Sequence, residues 1–353
     1  MKLSSAETEL KLALATSVAE SVLSVPVLKQ HRAGRPKLQR LVTTYYETPE
    51  KDLARRGITL RVRRDSDKRI QAVKSVGESG VAHSRGEWEW PVESATPDLR
   101  LLKDVPNAKL LADVSEDRLE PIVVTDVVRT TQSLEVDGDV VEAALDLGSI
   151  VAGEAKQDIR ELELELRQGT PGSLYQLALE LNSAVPFDIE VESKAARGFR
   201  LKEGLPPQAS KPSAVRLKSD DPAIEALRVI IGETLRHLLS NQPAALTGDP
   251  EGVHQVRIAV RRIRSVLRFS RRILRRMFEG EPRRAGRTIG EARDWDVLCD
   301  EILPHVSETA KARNVAEMMR APAEARRAAA HKRCVRQLQD PSFRALAWAS
   351  PPR

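Results

Sequence analysis

Along the first 200 residues, apolar and polar positions alternate with a period of two in a series of short runs, the pattern of strands that bury one face. The runs at 6–13, 39–46, 57–64, 69–75, 85–92, 122–137, 139–146 and 158–166 are expected as strands, the run at 122–137 either as one strand or as two joined by a turn. Asp137-Gly138 carries the strongest hairpin-turn signal. Helical spacing interrupts the series at 14–30 and at 172–184, the second opening on the cap-like Thr170-Pro171-Gly172-Ser173. Many antiparallel strands with few helices predict a barrel or a strongly curved sheet over residues 1–203. Residues 204–221 have the Pro, Ser and Gly content of a linker. Beyond them the period lengthens to that of helices, at 222–242, 249–278, 291–302, 306–320 and 322–339, so residues 222–353 are expected to be all-α. The fold class is therefore α+β.

In the first part the polar positions of the alternation are charged. Glu7-Thr-Glu9-Leu-Lys11 and Glu161-Leu-Glu163-Leu-Glu165 place charge at every second residue, which puts all of it on one face of a strand. Carboxylates two apart lie about 7 Å from each other and repel by about 2.4 kcal/mol at an effective dielectric near 20, so something cationic must sit among them. A divalent metal is one candidate, and a set of arginines or lysines is the other. Arg61 and Arg63, Glu87 and Glu89, and Glu142 and Asp146 alternate in the same way. A solvated outer face accounts for any one such strand. A closed barrel with a charged lumen accounts for acids and bases at matched positions on at least five.

In such a lumen Arg61, Arg63, Lys74, Arg129 and Lys194 would clamp a chain of phosphates, the guanidinium groups by paired hydrogen bonds and the lysines as point charges. The carboxylates would hold Mg²⁺ or Mn²⁺ through oxygen. One metal would polarise the phosphates while a second activates water for in-line attack. The sequence carries neither a Gly-rich phosphate loop nor a Ser/His/Asp constellation as a rival.

Composition sharpens the choice of partner. The chain of 353 residues is long enough for two domains and holds 57 Lys and Arg against 51 Asp and Glu, a net charge of +6 that favours anionic partners. Two cysteines, Cys299 and Cys334, lack the spacing of a disulfide framework or a zinc site and fit a reducing cytoplasm. The first residues run into charge without an apolar signal segment, and no uncharged apolar run is long enough to span a bilayer, so neither secretion nor membrane insertion is expected.

The motifs of the first 200 residues resemble the CYTH domains, the triphosphate tunnel metalloenzymes. Glu7-x-Glu9-x-Lys11 is similar to their E-x-E-x-K signature. It is followed in order by Tyr45-Tyr46-Glu47-Thr48-Pro49, Leu53 through Gly57 to Arg61-Val-Arg63, Gln71-Ala-Val-Lys74, Arg85-Gly-Glu87-Trp-Glu89, Val128-Arg129-Thr130, Leu145-Asp146-Leu-Gly148, Glu161-Leu-Glu163-Leu-Glu165 and Ser193-Lys194-Ala-Ala-Arg197-Gly198. The resemblance implies an eight-stranded antiparallel tunnel that hydrolyses or cyclises triphosphate-bearing substrates with a divalent metal. It assigns triphosphate to Lys11, Arg61, Arg63, Lys74, Arg129 and Lys194. Metal goes to Glu7, Glu9, Glu87 or Glu89, Asp146, and members of Glu161, Glu163 and Glu165, the last two favoured. Glu47 departs from the family's usual Asp and is expected to be non-catalytic. Trp88 and Trp90 share the face opposite Glu87 and Glu89 and are expected to pack outside the lumen. Of Tyr45 and Tyr46, at most one lines it.

In the second part, His254, Arg257, Arg261, Arg264, Arg268, Arg271 and Arg275 recur at steps of three and four and form one stripe of a helix, opposite Val256, Val260, Ile263, Leu267 and Leu274. No Glu interleaves it, and like charges four apart weaken a helix by about 0.2–0.5 kcal/mol each, so an extended polyanion suits it better than water alone. Aromatic residues make up 3% of the chain, too few for stacking on bases, which favours a bare phosphate chain over nucleic acid. Here Asp249 through His254-Gln-Val-Arg257-Ile-Ala-Val-Arg261-Arg262-Ile-Arg264, with Gly290-Glu-Ala-Arg293-Asp294-Trp295-Asp296, resembles the helical CHAD domains. That resemblance implies two related helical halves that bind inorganic polyphosphate. The chain stops after roughly the first of these halves, and the second is expected to be missing.

The leading expectation is a cytoplasmic Mg²⁺- or Mn²⁺-dependent hydrolase of inorganic triphosphate with a polyphosphate-binding helical module. The alternatives are a non-catalytic polyphosphate-binding protein, and a tunnel enzyme acting on a nucleoside or thiamine triphosphate or cyclising ATP. The full set of carboxylates favours an enzyme, because a pure anion binder gains nothing from them.

Overall fold

The computed structural model describes residues 2–3, 7–75, 83–85, 87–104, 114–269, 281–306 and 310–345. Arg271, Leu274 and Arg275 lie outside the described residues, as does the side chain of Glu7. The chain divides into two compact units, Met1–Pro206 and Pro207–Arg353.

The first unit is an antiparallel sheet. Its strands are β1 (Lys2–Leu3), β2 (Glu7–Leu14), β3 (Arg32–Glu47), β4 (Ile58–Asp65), β5 (Lys68–Ser75), β6 (His83–Arg85), β7 (Glu87–Val92), β8 (Glu120–Val136), β9 (Asp139–Ala152), β10 (Ala155–Gln168) and β11 (Phe187–Ile189). The spatial order runs β1-β7-β5-β4-β3-β8-β9-β10-β2-β11, and β6 pairs β2. Strand β6 pairs β2, and β7, next in the chain, pairs β5, so these two strands together close the ring. Counting β6 and β7 as one, the ring runs through β2, β3, β4, β5, β6/β7, β8, β9 and β10, the eight-stranded tunnel that the motifs imply. Asp137 and Gly138 both have positive φ (51° and 88°), the two-residue hairpin turn expected between β8 and β9.

Apolar positions of the alternation face outward into separate cores. Trp88 and Trp90 pack with Tyr46, Leu60, Val62 and Val73 beneath a short turn at Leu99–Asp104, outside the lumen as expected. Leu10 and Leu12 on β2 and Leu162 and Leu164 on β10 are fully buried; α4 (Pro171–Ala184) lies on these strands, burying Leu174, Leu177 and Leu181. The helical pattern expected at 14–30 is realised as three short turns, among them α1 (Thr16–Ala19) and α2 (Pro26–Gln30), because Pro26 restarts the chain at a first helical position. A further short helix, α3 (Asp52–Arg55), and α5 (Lys194–Lys202) were not expected from periodicity. Helix α5 is closed at its start by Ser193, whose Oγ accepts from the Ala196 N–H at 3.1 Å. It lies on β8 so closely that a Cβ at Gly198 would fall 2.3 Å from Val123 Cγ1.

The second unit holds α6 (Ala223–Leu246), α7 (Pro250–Phe269), α8 (Glu281–Asp296), α9 (Ala310–Leu338) and α10 (Pro341–Ala345). Its core includes Leu235, Leu238, Val253, Val256, Val260, Ile263 and Ile289. The expected break at Pro322 is absent: α9 runs through it, since one lost backbone donor and a local kink are tolerated in an Ala-rich segment of high helix propensity. Part of the expected linker docks on α6, where Ser210 N–H donates to Asn241 Oδ1 at 2.7 Å and Arg236 donates to Ser213 Oγ at 2.7 Å. Among the described residues no helix is long and apolar enough to cross a membrane.

Candidate functional site

The inward positions of the ring enclose a cavity of about 480 Å³. Strand register decides which charges meet in it. Arg129 on β8 stands opposite Asp146 on β9, which stands opposite Glu161 on β10. Along the next seam Glu163 faces Lys11 and Glu165 faces Glu9. On the other wall Lys74 faces Glu87, and Tyr45 faces Arg61.

The charges brought together in this way form ion pairs and clusters, not always with the residue directly opposite. Arg129 grips Asp146 with two parallel bonds, 2.6 and 2.7 Å, and reaches Glu163 Oε2 at 2.6 Å. The Lys194 ammonium, delivered by the first turn of α5, lies 2.7 Å from Glu163, 2.9 Å from Asp146 and 2.9 Å from Glu161. Glu87 is shared by Arg61 at 2.8 Å and Lys74 at 2.9 Å. Arg63 meets Glu89 at 3.1 Å, and Lys11 meets Glu9 at 3.0 Å. The tunnel thus brings together every expected lumen residue with a described side chain except Glu142 and Glu161. Glu161 is 1% exposed and does not line the cavity; it sits behind it, bound to Arg197 and Lys194.

The balance of these pairs is uneven, and the unevenness is chemical information. Glu163 is buried, which alone would raise its pKa, but Arg129, Lys194 and Lys11 hold it well below the usual carboxylate range. Burial likewise opposes the charge on Lys194, and Glu161, Glu163 and Asp146 more than offset it. Arg63 is in the opposite position: burial and then the neighbouring Arg61 charge depress it, with Arg129 adding to the crowding. Glu165 mirrors it, its pKa pushed up to about 7 by burial and by Glu142, Glu9 and Glu163 against the pull of Arg167. One wall is therefore short of anion and the other short of cation.

A model of the CYTH domain matches residues 5–199, more than half of the chain. The chain belongs to the CYTH family. A model of the CHAD domain matches residues 229–349. An inorganic triphosphatase of Haemophilus influenzae is 32% identical over 206 residues, covering 55% of this chain and 54% of that protein. Among solved structures, a Hippeastrum protein with a dominant triphosphatase activity is 21% identical and covers 56% of this chain and 96% of its own (TM-score 0.41). The CHAD domain of the plant Ricinus communis is 29% identical and covers 40% and 52% (TM-score 0.33). The chain spans about half the length of the curated relatives it matches.

Membership of the CYTH family, whose tunnels are metalloenzymes, implies a divalent metal. Among the described residues no three His, Cys, Asp or Glu side chains are gathered as a ready-made cage. The donor set nevertheless fits such an ion: carboxylate oxygens only, with Glu9, Glu165 and Glu142 directly opposed in a row where Lys11 and Arg167 are two cations against three acids. Glu9, Glu163 and Glu165 are the residues that would hold it.

Two residues of the CYTH tunnel, Arg197 and Arg167, escaped the sequence reading. Arg197, quoted only as part of a motif, is the buried partner of Glu161. Arg167 lines the cavity and bridges Glu142 and Glu165; it continues the alternation of Glu161, Glu163 and Glu165 by one step, the signal that would have found it. Tyr45 lines the lumen, whereas the Tyr46 hydroxyl donates outside it to Ala95 O at 2.7 Å. Glu47 is structural: its carboxylate accepts from the backbone N–H of Thr48, Leu53 and Ala54 at 2.8, 2.9 and 2.8 Å, fastening α3 to β3.

In the helical unit, α7 buries Val256, Val260 and Ile263 and turns Arg261, Arg264 and Arg268 to the surface, as the stripe predicts. Arg257 pairs with Asp294 of α8 at 3.1 Å, and Arg264 passes over Gly286, where a Cβ would stand 3.1 Å from its Nη1. Among the described residues no ion pair is recorded for Arg261, Arg264 or Arg268. His254 is half-buried, and its Nδ1 has no hydrogen-bond partner among the described residues.

Proposed function

We propose that the tunnel hydrolyses inorganic triphosphate with the help of Mg²⁺ or Mn²⁺. The observation that carries this reading is the paired imbalance of the lumen: Arg63 crowded by Arg61 and Arg129 on one side, Glu165 crowded by Glu9 and Glu142 on the other. A phosphate chain bound with a dication relieves both at once. An anion alone would relieve only the first, which separates the enzymatic reading from simple polyphosphate binding.

In this reading Arg61, Arg63, Lys74 and Arg129 orient the phosphate chain across the tunnel, and Lys11 and Lys194 place single positive charges along it. The divalent ion, held by Glu9, Glu163 and Glu165, supplies charge neutralisation on the phosphates and an activated water. Asp146 and Glu87 each keep two cations at a fixed spacing, so the phosphate-binding groups are set before substrate arrives. Glu161 holds Lys194 and Arg197 and is a positioning residue, leaving the metal to Glu163 and Glu165. No apolar or aromatic compartment for a base is needed by this set of groups, which favours an inorganic substrate over a nucleoside or thiamine triphosphate.

The test is phosphate release from triphosphate with Mg²⁺ and with chelator, beside Lys194→Ala and Glu163→Gln. Metal-dependent release lost in both variants while circular dichroism is retained supports the reading; unchanged turnover in both refutes it.

A second reading concerns the helical unit. The exposed Arg261, Arg264 and Arg268, without partners among the described residues, suit an extended polyphosphate. Retention on immobilised polyphosphate should fall in the triple alanine variant, with a shallower salt dependence. Unchanged retention and slope would make the stripe a solvated face.

A further inference from the structure

Three glutamates stand in one row across the tunnel wall. Glu9 on β2 is directly opposite Glu165 on β10, and Glu165 is directly opposite Glu142 on β9. Like charges in directly opposed positions are destabilising, so the row needs cations. Glu9 has Lys11, whose side chain is 10% exposed. The other two share one arginine: Arg167 donates Nη1 to Glu165 Oε1 and Nη2 to Glu142 Oε1, each at 2.5 Å.

Two features set Arg167 apart from the other cations of the lumen. The pairing of β10 with β9 steps from Leu166 opposite Val141 to Gln168 opposite Val140, so Arg167 is the extra residue of a β-bulge. A bulge re-aims the side chain it carries and loosens the ladder locally. Its side chain is also 46% exposed, against 12% for Lys194 and 16% for Arg61. Half-solvated ion pairs are worth little, so this guanidinium can exchange partners at small cost, which the buried cations cannot.

Resting on the metal-assisted reading of the tunnel, we propose that Arg167 is a displaceable counter-ion: it occupies Glu165 and Glu142 in the resting tunnel, yields Glu165 to the divalent cation, and turns into the cavity it lines to contact the phosphate chain. Arg167 therefore acts in two opposed senses. It competes with the cation for Glu165 before substrate is present, and it assists the anion afterwards. A residue serving only to neutralise the rim would do the first without the second.

Cation binding without substrate separates these roles. Mn²⁺ is titrated into the full chain and into Arg167→Gln, Arg167→Lys and Glu165→Gln, free ion being followed by electron paramagnetic resonance, and KM for triphosphate is measured alongside. Arg167→Gln should bind Mn²⁺ about tenfold more tightly, the effect of removing a unit positive charge about 5 Å from a dication at near bulk-water screening. KM for triphosphate should rise about tenfold in the same variant through loss of one charge-assisted contact. Arg167→Lys, which cannot fork between two carboxylates, should fall between. Mn²⁺ affinity in Arg167→Gln equal to or below that of the parent overturns the proposal, as does an unchanged KM. If the parent binds Mn²⁺ and Glu165→Gln loses it, such a result sinks the role of Arg167 alone. If the parent binds no Mn²⁺ and releases no phosphate, the metal-assisted reading itself fails and takes the proposal with it.

Discussion

Glu161→Gln separates a positioning carboxylate from a metal ligand. The substitution keeps the shape of the side chain and removes its charge. Glu161 is 1% exposed, with one oxygen bound to Arg197 and the other 2.9 Å from Lys194 Nζ. Removing one partner from a buried ion pair costs about 3–5 kcal/mol. Two facts reduce that figure: Lys194 keeps Asp146 and Glu163, and Arg197 keeps Glu190 at 3.5 Å. The amide oxygen can also still accept one bond. We therefore expect a loss at the low end, about 3 kcal/mol, which for a unit of this size lowers Tm by roughly 6–12 °C.

The decisive comparison is with Glu163→Gln and Glu165→Gln. Glu161→Gln should leave Mn²⁺ affinity within about twofold of the parent while lowering kcat, because Lys194 is held less firmly and misplacement by about 1 Å is enough to slow a positioned reaction. The other two variants should lose Mn²⁺ affinity by about tenfold or more, each removing one charged oxygen ligand. Calorimetric titration with Mn²⁺ and thermal unfolding of the same preparations provide both quantities. A Glu161→Gln variant that keeps its Tm and loses Mn²⁺ as Glu165→Gln does would refute the assignment and return Glu161 to the metal set.

Two further outcomes follow from single residues. Glu165 has a folded pKa of about 7, above the usual carboxylate value, so between about pH 4.5 and pH 7 the folded chain holds a proton that the unfolded chain releases. Stability of the metal-free protein should therefore fall as pH rises through this window, by up to about 3 kcal/mol at this site, and Glu165→Gln should flatten the profile of Tm against pH; an identical profile in parent and variant would count against the carboxylate row. Glu47→Ala should destabilise by about 2–4 kcal/mol through three unsatisfied backbone donors while leaving KM for triphosphate unchanged; a raised KM with intact stability would make Glu47 part of the site.

Much of the tunnel was legible in the alternation, and the limits of that legibility have a physical source. A period of two assigns a residue to a face of its own strand, so Glu163, Arg129 and Lys74 could be placed in a lumen before any strand was paired. It does not say which residue stands across the seam. That Glu165 meets two other glutamates while Asp146 meets an arginine depends on register, and register is set by hairpins such as Asp137-Gly138 and by the bulge at Arg167, where two residues fit against one. Helix α5 was missed for a different reason: at nine residues it is too short for its periodicity to stand out, and its place is fixed by the Ser193 cap and by the contact of Gly198 with Val123.

The same distinction explains why the three glutamates of β10, equivalent in sequence, are not equivalent in the tunnel. Their side chains share a face and an identical local pattern, Glu-Leu repeated. Glu161 sits behind the cavity, where Lys194 and Arg197 of α5 both bind it and burial leaves it almost no exposure to water. Glu163 lies one step along, gripped by Arg129 and Lys194 but still lining the cavity. Glu165 lies one step further, beyond the reach of those cations and between two acids. The cations Arg129, Lys194 and Arg197 thus act on Glu161 and Glu163 and leave Glu165 to Arg167, and on the proposed metal-assisted reading an added dication is expected to favour the Glu165 end of the row. What distinguishes the three glutamates is their reach to α5, a helix that follows β10 by more than twenty residues in the chain.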